Sequence, residues 1–355
     1  MSLLKIINNG QHREKEGSCA EGCNAIPDGF IDVPPEISRR IDERLDFMRE
    51  KTTRMGYRFV GRHSAVKVCS WTKESIRGKN YCYKKKFYGI ESSQCVQMTP
   101  AMFFCTFNCK HCWRNFAYLL PRMHEQWDDP LDVLNGCIEA QREVLQGFWG
   151  SETADKRKLS EAMDPKHVAI SLSGEPTLYP YLPEFVDEIT GRNMTAFLVS
   201  NGTVPAMIRT LVGHQPTNLY ISFYGTTPEM YADATIPMIQ DFWPKVMESL
   251  SLFKEFECNT VMRLTLSKGL NFTDPKGYAA FAEKFEPKFV EVKAFMAVGG
   301  SRRVMKYEDM PLHNEIQEFA AAIERYSSYR IIDEKPDSRV VLLTREGSPR
   351  FMGIE

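Results

Sequence analysis

Six short apolar runs rich in β-formers, separated by stretches of helix length, limit what this chain can fold into more than any other feature. They are CVQMTPAMFFC (95–105), HVAISLSG (167–174), TAFLVSNG (195–202), NLYISFYG (218–225), VMRLTLSKG (261–269) and FVEVKAFMAVGG (289–300). Amphipathic stretches such as PLDVLNGCIEAQREVLQGFWG, YLPEFVDEITGRN, IQDFWPKVMESLSLFKEF and PKGYAAFAEKFEP lie between them. The alternation predicts repeated βα units, since parallel neighbours need a crossover long enough to hold a helix. Six units give an α/β fold of the partial (β/α)6, TIM-like kind, with the runs and the apolar helix faces as candidate core. Such barrels carry their reactive groups on the loops after the strands, and these runs close on Cys, Gly or a Ser-Asn-Gly turn.

The flanks are different. Ahead of the runs lie a Pro-interrupted start, a charged helical stretch from Pro35 to about Arg54, and a segment rich in Cys and Lys. The tail RIIDEKPDSRVVLLTREGSPRF predicts a last strand pair packed beside the barrel. No apolar run reaches the roughly 18 residues of a membrane span, and the start lacks the long apolar core of a secretory signal. A cytoplasmic setting is therefore expected, in which the ten cysteines act as ligands or catalysts before disulfides. Lys plus Arg total 45 against 46 for Asp plus Glu, so any contact with nucleic acid must come from a local patch.

The stretch FFCTFNCKHCW places Cys105, Cys109 and Cys112 at spacings of four and three. A disulfide needs two thiols and a closed zinc site four ligands, whereas three thiolates hold three irons of a [4Fe-4S] cube and leave one iron open. The competing reading is a zinc knuckle with His111 as fourth ligand, which its position beside Cys112 makes hard to close tetrahedrally. A second triplet, Cys69, Cys82 and Cys95, recurs at intervals of thirteen in VKVCSWTKESIRGKNYCYKKKFYGIESSQC. It suits a second cluster with an open iron for substrate. Unrelated buried thiols are the alternative, although the segment is more polar and lysine-rich than a core strand.

The first triplet, followed by SLSGEPTLYP after the second run, resembles the radical S-adenosylmethionine (SAM) enzymes. That resemblance implies a radical SAM barrel whose open iron is chelated by the amino and carboxyl groups of SAM, with one-electron reduction releasing a 5'-deoxyadenosyl radical. It implies Ser173, Gly174 and Glu175 as binders of the SAM amino group, with Ser200 and Asn201 of the SNG turn beside its methionine or ribose part. With the second triplet, CTFNCKHCWRN, GEPTLYP, SNGT, MRLTLSKGLN, EVKAFMAVGGSRR and EDMP, the chain resembles the tRNA 4-demethylwyosine synthases over roughly residues 60 to 320. This family condenses N1-methylguanosine at position 37 of tRNA-Phe with carbons from pyruvate.

The resemblance divides the chain into a partly helical N-terminal extension (1–60), an auxiliary cluster-binding segment (61–96), the radical SAM barrel core (97–300) and a C-terminal strand and helix extension packing on it (301–355). It implies two [4Fe-4S] clusters and SAM as cofactors. No phosphate-cradling flavodoxin loop precedes the barrel, so a monomer served by a separate electron donor, flavodoxin or ferredoxin, is expected. Two other functions compete: a maturase or peptide modifier with an auxiliary cluster, and a zinc-dependent RNA-binding module without catalysis. Cys19 and Cys23 of SCAEGC fall outside the pattern and have no assigned role.

The carbonyl of an α-keto acid can be captured as a Schiff base by a lysine whose pKa is lowered. Lys84, two residues after Cys82, occupies the family's matching position. Lys85 and Lys86 either help to depress its pKa or form a strip that touches phosphate. Candidates to hold a splayed nucleotide are Trp113, Arg114, Tyr224, Arg302 and Arg303, with packing or plain solvation as the competing roles. Arg263 and Lys293 lie on the fifth and sixth strands, where a cation would suit the carboxylate of SAM or pyruvate.

Overall fold

The computed structural model describes residues 35–114 and 127–345. One ten-stranded sheet runs through it. In chain order the strands are β1 (Arg58–Val60), β2 (Ser64–Val66), β3 (Cys95–Thr99), β4 (His167–Ile170), β5 (Thr195–Ser200), β6 (Asn218–Phe223), β7 (Asn259–Leu266), β8 (Phe289–Ala294), β9 (Tyr329–Lys335) and β10 (Val340–Arg345). Each of the six apolar runs carries one strand from β3 to β8, and every neighbouring pair among these is parallel. The β1–β2 hairpin, too short to leave a sequence signal, adds antiparallel to β3. The tail forms the expected strand pair, and instead of lying beside the barrel it extends the sheet, with β10 antiparallel to β8 and β9 outermost. The edge strands β1 and β9 do not pair with each other, so the barrel stays open.

Helices stand where the amphipathic stretches predicted them, including Pro35–Arg54, Pro130–Gln146, Leu182–Gly191, Phe242–Ser251 and Pro275–Phe285. Local chemistry fixes several starts. Asp129 and Asp274 cap the helices that begin with Pro130 and Pro275, accepting from the backbone N–H of Leu131 at 2.8 Å and of Gly277 at 2.9 Å. Proline is favoured at a first helical position, where its missing N–H costs nothing. No helix among the described residues is long and apolar enough to cross a membrane.

The sheet is apolar on both faces. Outside, Val168, Ile170, Leu198, Ile221, Met262 and Val292 meet the helices through side chains such as Val133, Phe185, Val246 and Ala279. Inside, Phe197, Tyr220, Val261, Phe289 and Leu342 form a separate cluster with Phe87, Tyr88 and Ile90. The short helix Tyr83–Tyr88 therefore plugs the barrel from within, at the N-terminal part of the strands. Each large side chain buried there is worth roughly 1.5–3 kcal/mol, which holds the cysteine-bearing segment in the barrel. Gly89, at φ 74°, ends the helix in the left-handed conformation that favours glycine.

Candidate active site

Both cysteine triplets open onto one cavity of about 310 Å³ within the barrel. Its wall contains Cys69, Cys82, Cys95 and Lys84 from the plugging segment and Cys105, Cys109 and Cys112 from the loop after β3. Ser173, Gly174, Glu175, Ser200, Asn201, Arg263 and Lys293 complete it from the later strands and loops. Cys69 and Cys82 occupy the N-cap positions of helices Ser70–Ile76 and Tyr83–Tyr88, and Cys95 begins β3. The structure thus gathers every sequence-derived ligand and cofactor candidate into one space.

The loop carrying the first triplet is held from two sides. Lys110 N–H donates to Ala234 O at 3.1 Å and Met238 N–H to Thr106 O at 2.9 Å, anchoring it to the end of helix Pro228–Thr235. From the loop after β4, Glu175 N–H donates to Phe104 O at 2.8 Å and Ser173 Oγ to Met102 O at 3.0 Å. Gly174 is required between them. It sits at φ 68°, and a Cβ there would lie 1.8 Å from Ala101 O.

Glu175 is buried and bonded through both oxygens. Oε1 accepts from Thr177 Oγ1 (2.6 Å), Ser200 Oγ (2.8 Å) and Thr177 N–H (3.1 Å), and Oε2 from Asn201 N–H (2.7 Å). Burial pushes its pKa up while these donors pull it down. Asn201 donates from Nδ2 to Thr106 Oγ1 at 2.8 Å and toward Cys105 Sγ at 3.8 Å, a contact of the kind that tunes a cluster's potential.

The thiols are free of disulfides. Burial raises the thiol pKa to about 11 for Cys82 and about 12 for Cys95, so metal must displace protons to bind these two. Among the described residues no three ligand groups close to the spacing of a single metal ion. A cubane, whose irons sit at separate corners, does not ask for that. His111, 7% exposed, lines the same cavity, packs at a tilt against Tyr224 with ring centres 4.6 Å apart and has no hydrogen-bond partner for Nδ1 among the described residues. Soft thiolate donors in threes, with the unpartnered buried nitrogen of His111 on a residue of the same lining, fit an iron-sulfur cluster with a polar ligand beside it.

Lys84 is 7% exposed, and its Nζ lies 4.4 Å from the Phe197 ring centre and 5.0 Å from that of Tyr220. Burial, then the Arg263 charge, lowers its pKa, with nearby thiols opposing. Lys85 and Lys86 point elsewhere, pairing with Glu91 at 2.5 Å and Asp333 at 2.8 Å. Arg263 donates from Nε to Glu291 Oε2 at 3.0 Å and from Nη2 to Tyr83 OH at 2.7 Å. Against burial, Tyr83 and Glu291 hold this guanidinium charged.

Of the candidates for RNA contact, Trp113 is exposed at the cavity mouth, and its carbonyl accepts from Gly300 N–H at 2.7 Å. Arg114 lines the wall and is engaged by Tyr57 OH and Gln97. Tyr224 faces the cysteines and His111. Arg302 and Arg303 lie outside the cavity wall, with Arg302 bonded to Ala297 O (2.8 Å) and Tyr307 OH (2.6 Å). Sequence reasoning missed Glu291 and Tyr83. The signal was a lone acid in FVEVKA, two residues from Lys293 and hence on the same strand face.

The chain is similar to known proteins. A family model described as the radical SAM superfamily matches residues 99–282, and one described as wyosine base formation matches residues 284–345. The chain is 46% identical over 303 residues to the S-adenosyl-L-methionine-dependent tRNA 4-demethylwyosine synthase of Pyrococcus abyssi, covering 84% of this chain and 89% of that one. The chain belongs to the tRNA 4-demethylwyosine synthase family. The Methanocaldococcus jannaschii synthase is 37% identical over 80% of this chain and 91% of its own. A solved structure of TYW1 with a lysine-pyruvate adduct bound superposes with a TM-score of 0.75 at 34% identity, over 88% of this chain and 97% of that one. Membership of this synthase family makes the chain a radical SAM enzyme, with SAM and a [4Fe-4S] cluster as cofactors.

Proposed function

We propose that this enzyme condenses N1-methylguanosine at position 37 of tRNA-Phe with carbons of pyruvate, forming the tricyclic base 4-demethylwyosine. The observation that carries this reading is the position of Lys84: a buried amine beside Cys82 and Cys95, in the same cavity onto which Cys105, Cys109 and Cys112 open. In this reading Cys105, Cys109 and Cys112 hold the SAM-binding cluster and Cys69, Cys82 and Cys95 a second [4Fe-4S] cluster. When bound, the first cluster and SAM supply one-electron chemistry able to abstract hydrogen from the base methyl group. Electrons come from a separate flavodoxin or ferredoxin, and the enzyme acts as a monomer.

The chain's own residues do the rest. Ser173, Gly174 and Glu175 shape the loop that meets the SAM amino group, and Ser200 and Asn201 flank it. The neutral Lys84 amine adds to the keto carbon of pyruvate, water leaves, and an imine holds the substrate next to the second cluster. Lowering of the Lys84 pKa by burial and by Arg263 supports this role, because only the unprotonated amine is a nucleophile. A lysine-pyruvate adduct in TYW1 supports it by similarity. Trp113 at the mouth offers a flat face on which a base next to position 37 can stack.

Borohydride trapping with labelled pyruvate tests the reading. A stable adduct is expected on the peptide spanning YCYKKKFYG in the wild type and none in Lys84→Arg, whose guanidinium keeps the charge without the nucleophile. Transfer of pyruvate carbons to tRNA should collapse in that variant while tRNA affinity, which rests on summed phosphate contacts, changes little. Near-normal product from Lys84→Arg would sink the imine role. Equal losses in Lys85→Arg and Lys86→Arg would mean that the strip acts as one electrostatic patch.

A further inference from the structure

Three basic side chains, Lys84, Arg263 and Lys293, line the cavity, and one buried carboxylate, Glu291, is bonded to Arg263. Glu291, fully buried on β8, accepts from Tyr88 OH at 2.9 Å, Tyr83 OH at 3.2 Å and Arg263 Nε at 3.0 Å. Its charge is matched by Arg263, which also spends a donor on Tyr83. Lys293 is two residues along the same strand face, paired in register with Thr265 of β7 and Val340 of β10. Its Nζ donates to Ser338 O at 2.9 Å and lies 4.9 Å from the Tyr83 ring centre, and among the described residues it forms no ion pair with a carboxylate. Lys84 likewise has aromatic faces and no carboxylate. With Glu291 matched by Arg263, no carboxylate among the described residues pairs with Lys293.

A buried ammonium without a counter-ion is unfavourable unless a ligand supplies one. The cavity between the two lysines has room for a small anion. In a 2-oxo acid the carbonyl carbon that an amine attacks is bonded directly to a carboxylate, so an anchoring cation must stand near the nucleophile. Both side chains line the same cavity wall, together with Cys82. We infer that Lys293 is the carboxylate anchor of this site, selecting 2-oxo acids over uncharged carbonyl compounds by pairing with the carboxylate while Lys84 takes the carbonyl. The inference deepens the imine reading above and rests on it for the identity of the nucleophile. Lys293 is in this account a binding residue, and the Arg263–Glu291 pair positions Tyr83 beneath it.

The test uses the full-length, iron-replete enzyme in two parts. In borohydride trapping read at Lys84, Lys293→Met should lower pyruvate trapping by about tenfold or more, the scale of one lost charge-assisted hydrogen bond. Methyl pyruvate, with the same carbonyl but no charge, should be trapped to within about twofold of wild type on the same scale. Equal loss with both probes, unchanged pyruvate trapping, or loss of iron from the second triplet in Lys293→Met would overturn the proposal. Lys293→Arg, which keeps a cation, should recover part of the pyruvate trapping, and its failure to do so would count against an anchoring role. The second part is calorimetric binding of oxamate, a 2-oxo carboxylate whose amide carbonyl is not captured as an imine. Oxamate should bind about tenfold more weakly to Lys293→Met and nearly normally to Lys84→Arg. A wild type that binds oxamate through Lys293 but traps no pyruvate would sink the imine reading alone. Oxamate binding indifferent to Lys293 would sink the anchor alone.

Discussion

Glu175 Oε2 accepts the backbone N–H of Asn201 at 2.7 Å, so one buried carboxylate ties the loop after β4 to the loop after β5. The same residue's backbone N–H is tied to Phe104 O, next to the first cysteine of the cluster loop. Three strand ends are thereby fixed relative to one another before any ligand binds, which is the preorganisation a reactive site needs.

Glu175→Gln tests that tie. The amide presents a donor where an acceptor is needed, leaving at least one of the donors from Thr177, Ser200 or Asn201 unsatisfied at a cost of about 1–3 kcal/mol. Urea unfolding should register the loss, and equilibrium dialysis should show weaker SAM binding with iron content intact. Ser200→Ala, which removes one of the bonds to Oε1, should be milder. Wild-type stability and SAM affinity in Glu175→Gln would show that the carboxylate does not organise these loops.

Iron counting separates the two triplets. Cys109→Ala and Cys82→Ala should each lose about four irons per chain, one cubane, and the double variant about eight. Reductive SAM cleavage should vanish in Cys109→Ala and persist in Cys82→Ala. Unchanged iron in Cys82→Ala would make the second triplet buried thiols and nothing more.

The Glu291–Arg263 pair is buried inside the barrel, where removing one partner strands the other's charge. Glu291→Leu should cost about 3–5 kcal/mol in the iron-free chain, and the double change with Arg263→Leu should be less harmful than the sum of the singles. Additive losses in denaturant melts would mean that the two charges are not coupled.

His167 gives a pH dependence with a defined sign. Burial, then Lys84 and Lys166, lowers its pKa from 6.5 to about 4, and its ring is held by Glu91 N–H at 3.0 Å and Thr195 Oγ1 at 2.7 Å. Between these pH values the unfolded chain binds the proton and the folded one does not, so stability is full above about pH 6.5 and falls as pH drops toward 4. Urea midpoints of the iron-free chain should decline across that window and less steeply in His167→Gln. Parallel curves for the two proteins would assign the acid sensitivity to other groups.

The architecture was legible because its signals are local. Each strand from β3 to β8 sits in a run bounded by turn residues, and each long crossover stretch carries the apolar spacing of a helix, a pattern that backbone geometry reads within a few residues. The first cysteine triplet stood out for the same reason, since spacing on a short loop needs no distant partner, whereas Cys69, Cys82 and Cys95 sit on separate elements that only the fold brings to one cavity wall. What only tertiary structure decided is which face of each strand turns inward. A parallel sheet covered on both sides has no polar face, so TAFLVS and NLYISF read alike in either orientation, and Arg263 and Lys293 could point to the mouth or the wall. Only the fold seats Phe87 and Tyr88 within the barrel, and the meeting of Lys84 with Arg263, Glu291 and Lys293 brings together residues some 180 to 210 positions apart, as the Tyr83–Arg263 and Tyr83–Glu291 hydrogen bonds do at separations of 180 and 208. Sequence supplied the reactive groups. Curvature of the open sheet around its own N-terminal segment supplied their common cavity, where burying those aromatic rings is favourable.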